Sequence, residues 1–107
     1  MTAQHTPGPW RLHPVNDTAV IAMDGTGVAG MAGDYDDTDT WPIMEANARL
    51  IAAAPDMLAA CKGLLDIIYD SQGVAGWHMN GALATWDEFE DVAALEAAIS
   101  KAEGSTP

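Results

Sequence analysis

Residues 33 to 45 read G-D-Y-D-D-T-D-T-W-P-I-M-E, with aspartates at 34, 36, 37 and 39 and a glutamate at 45. Alternating oxygens of this kind could hold a hard cation, because a calcium loop draws ligands from positions 1, 3, 5, 7 and 12 of a twelve-residue turn. Asp34, Asp36, Thr38, Thr40 and Glu45 fall on those positions. The rest of the template is missing. Its sixth position takes glycine for a sharp turn and here is Asp39, Pro42 restricts the ninth, and the residues before Asp34 pattern as a strand instead of a helix. The sequence therefore points to no metal and no other cofactor.

The carboxylates need another account. Asp39 or Thr40 can cap a helix beginning at Trp41-Pro42, since a short polar side chain satisfies the free N–H groups of a first turn. The remaining aspartates have no such task, and closely spaced like charges repel. A basic protein partner would relieve that repulsion. Asp34, Asp36, Asp37 and Asp39 form one candidate binding patch and Asp87, Glu90 and Asp91 a second, with Trp77 as an exposed aromatic contact in a glycine-rich stretch.

Catalytic constellations are harder to find. His5, His13 and His78 match no metal-ligand spacing, and catalysis needs nucleophile, base and orienting group in mutual reach. Cys61 is the only cysteine, which excludes an internal disulfide; its apolar helical setting reads as a buried thiol. Gly25, Gly27 and Gly30 spell G-x-G-x-x-G, but no helix follows, so the motif reads as a hairpin turn. We expect no enzyme. A second kind of site would combine Trp10, Arg11, Asn47 and Arg49 into a cationic, aromatic pocket for a cyclic nucleotide. Asn47 and Arg49 could equally tie their helix to the sheet by hydrogen bonds.

Charge narrows the partners. Sixteen acidic residues face four basic ones, Arg11, Arg49, Lys62 and Lys101, for a net charge of -12. Phosphate affinity comes from Lys and Arg displacing counterions, so direct binding to nucleic acid or anionic membrane is disfavoured, while a basic protein groove is attracted. No window approaches the roughly 18 apolar residues of a membrane span, and the N-terminus shows no leader pattern; a cytoplasmic protein is expected.

The 107 residues suit a single small domain that must position these groups. Residues 1–9, with Pro7, Gly8 and Pro9, form an extended lead-in. Residues 10–33 form a β region: Trp10 to His13, Thr18 to Met23 and Val28 to Ala32, the last two joined by D-G-T-G. Residues 42–70 give a helical pair. In it Ile43, Met44, Asn47, Leu50 and Ile51 recur at helical spacing, Pro55 interrupts, and Met57, Leu58, Cys61, Leu64, Leu65 and Ile68 mark a second apolar face. Gly73 to Ala84 reads as a loop. A capping box at Thr85 and Glu88 then opens a helix over 85–102 with Phe89, Val92, Leu95 and Ile99 as its buried stripe, and Trp41 and Trp86 read as core edges. The expected fold class is α+β: a small antiparallel β-meander of two or three strands packed against two or three helices.

Two segments, T-P-G-P-W at residues 6–10 and E-A-N-A-R-L-I-A-A-A-P-D-M-L at 45–58, resemble a group of small phage and prophage proteins that share this start and an ANARLIAAAP helix. The resemblance implies a phage accessory protein in the host cytoplasm, of a kind that often blocks host defence or alters host physiology, and brings no catalytic residue. Three expectations stay open: an inhibitor binding a host defence protein with a basic groove, such as a CRISPR effector; a sponge for a cyclic-nucleotide signal; and a homo-oligomer or interaction module whose helix pair at 43–69 associates.

Overall fold

A computed structural model describes residues 4–33 and 36–104. Three helices and two small antiparallel sheets make an α+β fold, as expected. The chain divides into two compact units, one within Ala3–Met57 and the other within Leu58–Pro107.

In the first unit, β1 (Trp10–Leu12), β2 (Ala19–Ala22) and β3 (Gly27–Gly30) form a meander in the order β1-β2-β3. Trp10 pairs with Ala22 and Leu12 with Val20, while a bulge between Val20 and Ile21 shifts the register against β3. Polar side chains make the turns. Asp24 Oδ1 accepts from the Thr26 N–H at 2.9 Å, and His13 Nδ1 accepts from the N–H groups of Val15 and Asn16. Asn16 Oδ1 accepts from the Thr18 hydroxyl at 2.6 Å, so the wholly buried Thr18 keeps a partner for its polar group.

Helix α1 (Trp41–Ala52) lies against β1 and β2. Pro42 occupies its first turn, where the absent N–H has no helical partner to lose. Met44 and Ala48, one helical turn apart, enter the core with Val20 and Met31, and Trp10, Leu12 and Ile51 pack around them. Removing the Met44 side chain beyond Cβ would cost about 2–5 kcal/mol, the range for emptying a core position of this size. Ile43 and Leu50, expected on the same apolar face, are instead more than 60 % exposed.

Helix α2 (Ala54–Asp70) starts earlier than expected. The break falls at Ala53, whose N–H closes α1 on the Arg49 carbonyl. Pro55 thus stands in the opening turn of α2, just past the interruption expected of it, where a residue needs no N–H donor.

The second unit corrects the sequence reading more sharply. The stretch from Gly73 to Ala84, read as a loop, contains a hairpin of β4 (Val74–Trp77) and β5 (Leu83–Thr85), with Trp77 opposite Leu83. Asn80 Oδ1 accepts from the Ala82 N–H, and Gly81 turns the chain at φ 86°, a region closed to most side chains. The expected capping box is present at Thr85 and Glu88, with the Thr85 N–H donating to Glu88 Oε2 at 2.6 Å, and the Thr85 hydroxyl also donates to Asp87. Trp86–Glu88 forms a 3-10 turn, and α3 (Glu90–Glu103) begins after Phe89.

Three side-chain bonds tie α2 and the residue that follows it to α3 and the 3-10 turn that precedes it. The Trp86 indole N–H donates to Ser71 Oγ at 2.6 Å, the Tyr69 hydroxyl to Glu96 Oε2 at 3.2 Å, and Lys62 Nζ pairs with Glu103 at 2.9 Å. The core beneath is thin. Ile68, Ala84 and Ile99 are buried, whereas Leu64 and Phe89, expected inside, are 51 % and 45 % exposed. Cys61 is half-buried, less enclosed than its pattern suggested.

Candidate functional site

The acidic segment is anchored at both ends. At Gly33 the backbone runs so close to α1 that a Cβ there would sit 2.5 Å from Met44 Sδ. At the other end Asp37, and neither Asp39 nor Thr40, organises the entry to α1. Its Oδ1 accepts from the Asp39 N–H at 2.8 Å, its Oδ2 from the Thr40 hydroxyl at 3.0 Å, and its carbonyl from the Trp41 N–H at 3.2 Å. Thr40 stands at the N-cap position without a side-chain cap bond. An aspartate that bonds its own backbone two residues on forms an Asx turn, which competes with capping from the later positions.

These bonds hold the Asp37 carboxyl below the ordinary carboxylate range, the Asp39 N–H contributing most and the Thr40 hydroxyl next. Asp36, Asp37 and Asp39 are all exposed, and Asp34 lies outside the described residues. Within this segment three exposed carboxylates cluster at the helix entrance, and hydrogen bonds hold that of Asp37. Among the described residues no group of three or more His, Cys, Asp or Glu side chains is placed to hold a metal ion.

The second patch belongs to the other unit. Asp87, Glu90 and Asp91 are exposed around the 3-10 turn and the first turn of α3, where the positive end of the helix dipole suits them. Glu88 beside them accepts from the Thr85 N–H and from His78 Nε2 at 2.8 Å, and these bonds, the backbone one first, lower its pKa. Trp77 and Met79, on the hairpin that His78 ties to this turn, are 72 % and 107 % exposed.

The residues considered for a cyclic-nucleotide pocket all fall in the first unit. Trp10 is half-buried on the core, with its indole N–H given to the Thr6 carbonyl at 3.0 Å, while Arg11 is exposed from the same strand. Asn47 and Arg49 are exposed on α1, which leaves both side chains in solvent instead of spanning to the sheet.

One feature was not read from the sequence. Leu64 and Ile68 of α2 line, with Trp86, Phe89, Val92 and Leu95, an apolar groove of about 240 Å³ to which Asp91 also contributes. The helical spacing of these residues was legible, but spacing shows which face is apolar and not whether anything covers it.

Among known proteins, the family model described as Salmonella phage P22 protein Y8K6 matches residues 1–106. No curated protein and no solved structure matches the chain. No helix among the described residues is long and apolar enough to cross a membrane.

Proposed function

Because the chain belongs to the Salmonella phage P22 protein Y8K6 family, we propose that it is a phage accessory protein that works by binding instead of by catalysis. Its partner is a host defence protein with a basic, nucleic-acid-handling groove, such as a CRISPR effector, met in the host cytoplasm. The observation that carries this reading is the exposure of Asp36, Asp37 and Asp39 within four positions at a helix entrance that Asp37 organises.

A groove that binds phosphates presents Lys and Arg at close intervals, and carboxylates held at similar density compete for the same cations. With a net charge of -12 the chain is steered toward such a groove, and steering raises the association rate most at low salt. The exposed Asp87, Glu90 and Asp91 add a second surface of the same sign.

The test is capture of host proteins from infected cells by the wild-type chain and by a variant carrying Asp34→Asn, Asp36→Asn, Asp37→Asn and Asp39→Asn. Since Asp37 also builds the helix entry, a companion variant leaves it intact. Loss of one basic partner with both variants supports the reading; identical captures would remove it.

A further inference from the structure

We propose that the groove between α2 and α3 is a docking site for a cationic amphipathic helix of a partner protein, its apolar residues entering the groove and its Lys or Arg meeting Asp91. The proposal goes beyond the reading above: it draws on Asp91 and its neighbours Asp87 and Glu90 but on none of the aspartates of residues 34–39, and would stand if those proved idle.

The groove is apolar on both walls, and two of its residues, Leu64 and Phe89, remain about half exposed. Its walls are braced from within the unit. Trp86 is held to Ser71, Tyr69 to Glu96 and Lys62 to Glu103, which link the two walls. At about 240 Å³ it is smaller than the roughly 300–1,000 Å³ of small-molecule pockets, which fits side-chain anchors better than a whole ligand. An amphipathic helix supplies such anchors at three- and four-residue intervals along one face.

Charge selects the occupant. Asp91 lines the groove itself, Asp87 and Glu90 flank its opening turn, and all three are exposed. A second copy of the chain would bring another -12 to this acidic margin, whereas a helix flanked by Lys or Arg would be drawn to it.

The probe is a synthetic Leu/Lys amphipathic helical peptide, compared with a scrambled peptide of the same composition that lacks an apolar face. Binding is followed by fluorescence anisotropy and by the Trp86 indole N–H signal in NMR. Leu64→Gln with Phe89→Ser, both at exposed positions, should weaken the amphipathic peptide at least tenfold while circular dichroism stays unchanged. Asp91→Asn should weaken it severalfold at low salt, and the Asn variants of residues 34–39 should leave it within twofold. Equal affinity for the scrambled peptide, or an undiminished affinity in the Leu64/Phe89 variant, overturns the proposal. So does sedimentation showing a wild-type dimer that the same variant dissociates, because the groove would then be filled by a second copy. Should the double variant unfold, Leu64→Ala alone, read by the Trp86 signal, decides between the same outcomes.

Discussion

Gly8 and Pro55 are in direct contact: a Cβ on Gly8 would lie 2.6 Å from Pro55 Cβ and 3.2 Å from its Cγ. The contact joins the T-P-G-P-W start to the end of the A-N-A-R-L-I-A-A-A-P helix. Trp10 from the first segment and Met44 with Ala48 on α1 meet in one core. These two stretches thus build the core of the first unit, and Asp36, Asp37 and Asp39 sit outside them.

Gly8→Ala is expected to destabilise the protein by about 1–3 kcal/mol, since the proline ring is stiff and overpacking cannot be relieved by a rotamer change. Gly27→Ala, where a Cβ would meet nothing within 4 Å, serves as the control and should stay within about 0.5 kcal/mol. Urea denaturation of both variants measures the difference.

Acid should loosen the turns that carry the carboxylates. Asp24, Asp37 and Glu88 have folded-state pKa values below their ordinary 3.8, 3.8 and 4.5. A lowered carboxylate pKa stabilises the fold above the unfolded value, and that stability is lost as pH falls through the lower folded value. Melting temperature should therefore be flat near neutrality and fall below about pH 4.5. Glu88→Gln should blunt the fall, and a melting curve indifferent to pH in this range would contradict the assigned bonds.

Trp86→Phe removes the indole donor to Ser71 while keeping an aromatic ring in the groove wall. Ser71 Oγ still donates to the Ile68 carbonyl at 2.6 Å, so no buried group is orphaned and the loss should be about 0.5–1.5 kcal/mol. Ser71→Ala in that background should add less than it does alone, which a double-mutant cycle reads as coupling.

Gly81→Ala places a side chain at φ 86° and should cost about 1–2 kcal/mol, felt as faster amide exchange in β4 and β5. This hairpin shows where the sequence was legible and was overlooked. Asn80-Gly81 is a strong turn signal, but Gly76, the bulge beside it and strands of three or four residues hid the alternation around it. By contrast the meander was readable because D-G-T-G separates two clean apolar runs, and α1 because Pro42 marks its start.

The acidic segment was legible only in composition. Its spacing invited comparison with a calcium loop, yet the turn depends on Asp37, which that template leaves unused. Capping preferences favour the residue nearest the helix, but the Asp37 side chain reaches both the Asp39 N–H and the Thr40 hydroxyl and so organises the entry from further upstream. The apolar stripes of α2 and α3 were likewise visible as periodicity, while their openness depends on how little the short second unit has to cover them.

The most direct measurement of the central claim is the association rate of the wild-type chain with its captured host protein across ionic strength, beside the Asp34→Asn, Asp36→Asn, Asp37→Asn, Asp39→Asn variant. Binding by exposed carboxylates predicts a wild-type rate that falls steeply with salt and a slower variant whose rate depends less on salt, the two converging when charges are screened. Equal rates with equal salt dependence would contradict it.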